Sequence, residues 1–251
     1  MTPPPAHDMP MVVHPGYLAG PGDAPHALHT FAKGREDWTL TPVDNQLVAA
    51  HQQHPVLLTL DLDAGTPRWT MASLSHPASQ LEWHATFDAR TPAEVVTAAA
   101  RRLAHALAQT TDAERDRQLW GHDHPAVDTA DALDAETTRA HHWIRAGDLR
   151  TTLTLDNPDG TAALRLHRYL ERSDSDPLDT VFNLRAGARG HQDDWWHAEF
   201  SRYTPTAVLL AAVRTVTDPG RYERRASQIP MLHRSLLRTH PVARRRPQAR
   251  P

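Results

Sequence analysis

One stretch of this chain occurs twice, and that constrains its fold more than any other feature. Trp83-His84-Ala85-Thr86-Phe87-Asp88-Ala89-Arg90-Thr91-Pro92 returns 113 positions later (83 to 196) as Trp196-His197-Ala198-Glu199-Phe200-Ser201-Arg202-Tyr203-Thr204-Pro205, with six of ten positions identical. Trp, Ala and Phe at alternate positions put three apolar side chains on one face of a strand. The Thr-Pro closing each copy predicts a helix start. Thr91 would be the N-cap, Pro92 the first helical residue, where a missing N–H costs nothing, and Glu94 the partner in a capping box. A repeat on this scale sets the architecture before any site is considered.

Period-two alternation extends the pattern on both sides. In the first copy it predicts strands at Trp38 to Leu40, Val56 to Leu62, Arg68 to Leu74 and Leu81 to Phe87, joined by connections too short for anything but antiparallel pairing. The Ala-rich stretch from Ala93 to Ala108 then predicts a helix with Val95, Val96, Ala99 and Leu103 as its packing stripe. In the second copy strands are expected at Leu149 to Leu155, Ala163 to Leu170, Thr180 to Arg185 and Trp195 to Phe200. An Asn157-Pro158-Asp159-Gly160 turn joins the first two, and a helix runs from Ala207 to Val216. The expected fold class is α+β, two tandem repeats of a four-stranded antiparallel sheet followed by one packing helix. The expected organisation is a disordered N-terminus (1–15), a first repeat (16–110), an acidic linker (111–137) with a short helix near Asp112 to Trp120, a second repeat (138–230) and a basic C-terminal tail (231–251).

Tyr17-Leu18-Ala19-Gly20-Pro21-Gly22-Asp23, the Asn157 turn and the two Trp-x-Ala-x-Phe…Thr-Pro units together resemble the actinobacterial SPDY domain family, named for a Ser-Pro-Asp-Tyr motif. The resemblance spans roughly residues 17 to 230, in two copies. The first copy departs from the pattern, with Thr41-Pro42-Val43-Asp44 where Ser-Pro-Asp is expected, and the second has Asn157 for Ser. The family brings no assigned activity. The inferred order of four strands and a helix, duplicated, is also similar to Whirly-type single-stranded-DNA-binding folds, a likeness of topology alone.

Charge narrows the function classes. Residues 1–137 carry a net −10, residues 138–220 a net −1, and residues 221–251 a net +8, so the basic charge is concentrated at the C-terminal end. That is the arrangement of an arm reaching a polyanion or an acidic partner. The chain has no cysteine, which removes disulfides, thiolate metal sites and cysteine nucleophiles. Met1 to Pro10 has no signal-peptide pattern, and apolar runs such as 207–213 fall far short of the roughly 20 residues that cross a bilayer. A cytoplasmic protein without a membrane partner is expected.

His122 and His124 lack a third metal ligand at useful spacing, and the adjacent His141 and His142 cannot share one strand face. Ser73, Ser75 and Ser201 lack a nucleophile elbow, and Asp193-Asp194 and Asp61-x-Asp63 sit where Asp serves turns. No catalytic residue, metal or other cofactor is expected. With Trp83, Ala85, Phe87 and their counterparts directed inward, His84 and His197 face the other way. In the second copy Arg165, His167, Tyr169, Trp195 and Glu199 join that outward face. Aromatics interleaved with Arg can stack bases and neutralise phosphates. The expectation is a non-enzymatic nucleic-acid-binding protein, more suited to single-stranded DNA, that uses Arg165, His167, Tyr169, Trp195 and His197 on the sheet. Arg221, Arg224, Arg225, Arg244, Arg245 and Arg246 would form its basic arm. The alternatives are a protein-interaction or homodimerisation module and, third, a hydrolase or metal enzyme.

Overall fold

The computed structural model describes residues 9–242 apart from 64–67, 75–79, 121–128, 140, 148–150, 168–175 and 177–178. The strands β1 (Pro10–His14), β2 (Trp38–Val43), β3 (Gln46–His51), β4 (Val56–Asp61), β5 (Arg68–Leu74) and β6 (Leu81–Phe87) lie in the first half of the chain. The strands β7 (Ile144–Ala146), β8 (Thr152–Asp156), β9 (Ala162–His167), β10 (Thr180–Ala186) and β11 (Trp196–Ser201) follow in the second, and β12 (Tyr222–Arg225) and β13 (Arg238–Pro241) come last. The helices are α1 (Ala24–Lys33), α2 (Ala93–Leu107), α3 (Asp112–Trp120), α4 (Thr129–Asp134) and α5 (Thr206–Thr217).

The α+β class is as expected, but two separate sheets are not what forms. One antiparallel sheet of ten strands runs β2-β3-β4-β5-β6-β11-β10-β9-β8-β7, and its centre is the pairing of the two repeated strands. Phe87 lies opposite Ala198, Thr86 opposite Glu199, and Ala85 opposite Phe200. Because Phe87 and Phe200 are equivalent in the repeat, as are Ala85 and Ala198, this register maps onto itself about the Thr86–Glu199 pair. A strand with its Trp-x-Ala-x-Phe face buried and its edge free needs a partner for a full row of N–H and C=O groups. The other copy of the same strand supplies one.

Alternation then sorts the faces. Leu58, Leu60, Trp69, Met71, Trp83, Ala85 and Phe87 on one side of the centre, and Leu164, Leu166, Phe182, Leu184, Trp196, Ala198 and Phe200 on the other, are buried in a single continuous core. The Phe87 and Phe200 rings meet edge-to-face across the join, 5.7 Å apart. Both long helices cover this face, α2 through Val95, Val96, Ala99 and Leu103 and α5 through Val208, Leu209, Ala212 and Val213, and their alanines let the two pack against each other.

The helix starts differ from the Thr-cap reading. Pro92 and Pro205 occupy the N-cap positions without a side-chain cap, and the threonines before them reach across the join instead. Thr91 Oγ1 donates to the His197 carbonyl at 3.2 Å, and Thr204 Oγ1 donates to the His84 carbonyl at 2.9 Å. The His197 N–H donates to Asp88 Oδ2 and the His84 N–H to Ser201 Oγ, each at 2.9 Å. The repeated motif is therefore a reciprocal clasp in which each copy's turn holds the other copy's strand. Glu94 is absent from the box because a buried arginine takes it.

Part of each terminal segment forms regular structure among the described residues. Residues 10–14, read as lacking fixed structure, form the middle strand of a small β12-β1-β13 sheet, and part of the supposed tail supplies β13. Within the acidic stretch the expected short helix forms as α3 over Asp112–Trp120, α4 follows it, and Arg102 Nη2 ties α3 to α2 by donating to the Gln118 backbone and side chain at 3.0 and 2.8 Å.

Candidate functional site

The helices cover one face of the sheet, so the other face is where side chains can meet a partner. Along one row across the centre it carries Thr70, Thr86, Glu199, Asn183, Arg165 and Thr154 on consecutive strands. In the next row Arg185 lies opposite His197 on β11 and Ala163 on β9. Arg165, Arg185 and His167 are half-buried. Burial and then the neighbouring Arg165 charge lower the pKa of both Arg185 and His167, with Asp156 opposing the shift at Arg185. Among the described residues neither Arg165 nor Arg185 has an ion-pair or hydrogen-bond partner, and Arg185 Nε is buried without an acceptor. Two like charges held on adjacent strands without an ion-pair partner among the described residues, with Asp156 near enough to act on Arg185, give this patch local positive character.

Trp195 is in this region but does not present a stacking surface. Only 5% exposed, it donates from Nε1 to the Ala188 carbonyl at 2.7 Å. The strand begins one residue later than expected, at Trp196, and Gly187 lets the ring fold down. A Cβ at Gly187 would stand 2.4 Å from a Trp195 ring carbon. What Trp195 contacts is Arg185, whose guanidinium carbon is 5.4 Å from the indole centroid. The ring therefore props an arginine. His197 is half-buried beside it. His84 is also half-buried, with Nδ1 lacking a partner, and burial lowers its pKa against the opposing charge of Glu199.

Arg224, expected to bind phosphate, is unavailable to any ligand. Its side chain is 4% exposed and makes a two-pronged pair with Glu94, Nη1 to Oε1 at 2.7 Å and Nη2 to Oε2 at 2.6 Å. Nη2 also donates to the Gly20 carbonyl at 3.2 Å, and a Cβ at Gly22 would meet the guanidinium at 2.9 Å. The Gly20-Pro21-Gly22 turn is thus shaped by close approach of this arginine, which fastens the small sheet to the start of α2. Arg221 and Arg225 are exposed. Tyr169, Arg244, Arg245 and Arg246 lie outside the described residues.

The remaining motif residues are structural. The Tyr17 hydroxyl is 2.9 Å from Thr161 Oγ1 and accepts from Asn157 Nδ2 at 3.4 Å, and Asn157 Oδ1 closes its turn by accepting from the Thr161 and Ala162 N–H groups. The Trp196 indole donates to the Tyr17 carbonyl. The two motif stretches quoted from distant parts of the chain therefore pack together. Among the described residues no group of three or more His, Asp or Glu is placed to hold a metal ion, and no helix is long and apolar enough to cross a membrane.

Sequence reasoning missed Arg185 and Asn183. Their alternation with Phe182, Leu184 and Ala186 carried the signal. It also missed Asp88, which accepts from the Arg90 and Thr91 N–H groups as well as from the opposite strand.

These features define a one-sided antiparallel α+β sheet protein with a polar face that carries two arginines on adjacent strands. Residues 50–108, which run from the end of β3 through α2, match the model of the SPDY domain, a domain of unknown function (DUF317). No curated protein matches the chain, and no solved structure matches it.

Proposed function

We propose that the chain is a non-enzymatic binding protein that engages the phosphate backbone of nucleic acid through the open sheet face of its second half. In this reading the sheet pairs two copies of the family's unit, and the second copy has acquired the ligand-facing charges. The supporting observation is the placement of Arg165 and Arg185 on adjacent strands without an ion-pair partner among the described residues, Asp156 offsetting part of the charge at Arg185. His167, His197 and Asn183 surround them with polar groups. Exposed Arg221 and Arg225, with Arg244 to Arg246 beyond them in sequence, extend the positive charge. Contact is to phosphate and without base choice, and Trp195 acts by holding Arg185 in place of stacking a base.

Fluorescence anisotropy with short labelled single- and double-stranded oligonucleotides at several salt concentrations tests this. Binding should weaken as salt rises, and Arg165→Gln and Arg185→Gln should each reduce the log–log salt slope on single strands by about 0.7. Binding to no oligonucleotide, or unchanged slopes in both variants, refutes the reading.

One observation favours a second reading as a protein-interaction or dimerisation module. Met231 is 79% exposed and lies near exposed Leu232 and Leu236, next to the small sheet, an apolar patch suited to a protein partner. A concentration-dependent dimer in sedimentation, lost on Met231→Ser, would support it.

A further inference from the structure

A cavity of about 760 Å³ has neither Arg165 nor Arg185 in its lining. It is bounded by the ends of β4, β5 and β6, the C-terminal turns of α2 and α3, and the turn before α5. That volume suits a small organic ligand. Its wall includes three aromatic side chains, Trp83 from β6, Trp120 from α3 and Tyr203 from the turn, together with Leu107 of α2. Trp83 and Leu107 are buried, whereas Tyr203 is 47% exposed at the mouth. The hydrogen bonds from Arg102 to Gln118 fix the α3 wall against α2.

Among the described residues Glu82 is the single Asp, Glu, Lys or Arg in this wall, and the backbone has been altered where it sits. The β5–β6 register slips between Ser73, opposite Trp83, and Leu74, opposite Leu81, which leaves Glu82 as the extra residue of a bulge. Strict alternation would send Glu82 to the face opposite Trp83. Instead its carboxylate accepts from the hydroxyl of Ser73 at 3.0 Å, and Ser73 shares its face with Met71 and Trp69. Bulges re-aim side chains in this way beside binding sites. Among the described residues Glu82 has no cationic partner. His54, also in the wall, is held toward its neutral form by burial and by the Arg115 charge.

We infer that this cavity binds a small organic cation, an alkylated ammonium on an apolar body, with the ammonium between Glu82 and the aromatic faces of Trp83 and Trp120. Ring quadrupoles attract cations, and alkylated ammonium groups are the cations that lose least on leaving water for such a lining. The carboxylate adds charge complementarity, and the leucines accept the apolar body. This inference is independent of the nucleic-acid reading, since no residue is shared.

Calorimetric titration of the full chain with phenyltrimethylammonium, its neutral isostere tert-butylbenzene, and benzenesulfonate tests it. The cation should bind with one site per chain and at least about tenfold more tightly than the neutral isostere, and the sulfonate should be excluded. Glu82→Gln should remove most of that preference while the melting temperature stays the same, and Trp120→Ala should weaken the cation more than the neutral probe. Equal binding of cation and isostere, tighter binding of the sulfonate, no binding of any probe, or a preference unchanged in Glu82→Gln would each overturn the assignment.

Discussion

The two halves of the sheet bury nearly the same residues and expose different ones. On the covered face Trp83, Ala85 and Phe87 match Trp196, Ala198 and Phe200, all buried. On the open face the first half has Leu57, Thr59, Thr70 and Ala72, while the second has Arg165, His167, Asn183 and Arg185. The difference shows what each face answers to. Inward positions must fill a space bounded by α2 and α5 at close-packed density, and the self-complementary register ties each copy to the other. Outward positions are free of both demands, so their divergence reflects what the surface contacts.

The largest effects should come from the shared face. Phe87→Ala and Phe200→Ala should each cost about 3–5 kcal/mol in denaturant unfolding. The double variant should lose less than the sum, because the rings touch. A cost below about 1 kcal/mol for either one would break the equivalence of the halves.

The clasp should be less symmetric. Asp88 accepts from Arg90, Thr91 and His197, whereas Ser201 accepts from His84 and lies 3.3 Å from Thr204 Oγ1. Asp88→Ala should therefore cost roughly 3 kcal/mol and Ser201→Ala about 1 kcal/mol. Equal costs would mean that the extra bonds of Asp88 contribute nothing net.

Acid should separate the halves further. Burial lowers the pKa of His51, His54 and His84 in the first half and of His167 in the second. A histidine whose folded pKa lies below its unfolded value favours the folded state when neutral. That stability is fully present above about pH 6.5, the unfolded value, and is lost as pH falls through the lower folded values. Hydrogen exchange followed from pH 7.5 down to 5 should show β3 to β6 losing protection before β8 to β10, and the reverse order contradicts this. The smallest effect belongs to the open face, where Arg165→Gln should change stability by no more than about 0.5 kcal/mol. That leaves any loss of binding attributable to the lost charge.

Much of this fold is readable from residue patterns, and the gaps have physical causes. Alternation placed β5 and β6 at their observed limits and put Trp83 and Trp196 inside. It overlooked β3, because Leu47-Val48-Ala49-Ala50 is an unbroken apolar run without alternation. Which strand edges pair is carried by backbone groups common to every residue, so two sheets and one sheet read alike. For the site, period two correctly put Arg165 and His167 on the open face. It failed for Trp195, because the chain turns over Gly187 before the strand begins. Arg224 failed because a local reading of charge cannot see Glu94, 130 positions away.

The single sheet depends on the two repeated strands pairing with each other about Thr86 and Glu199, and the chain's lack of native cysteine makes this directly measurable. In the double variant Thr86→Cys, Glu199→Cys, dibromobimane should bridge the two thiols in monomeric protein and become fluorescent. Thr86→Cys with Asn183→Cys, one strand further off at about 10 Å, should stay unbridged. Absence of the bridge in the first variant, or equal bridging in both, would contradict a single continuous sheet.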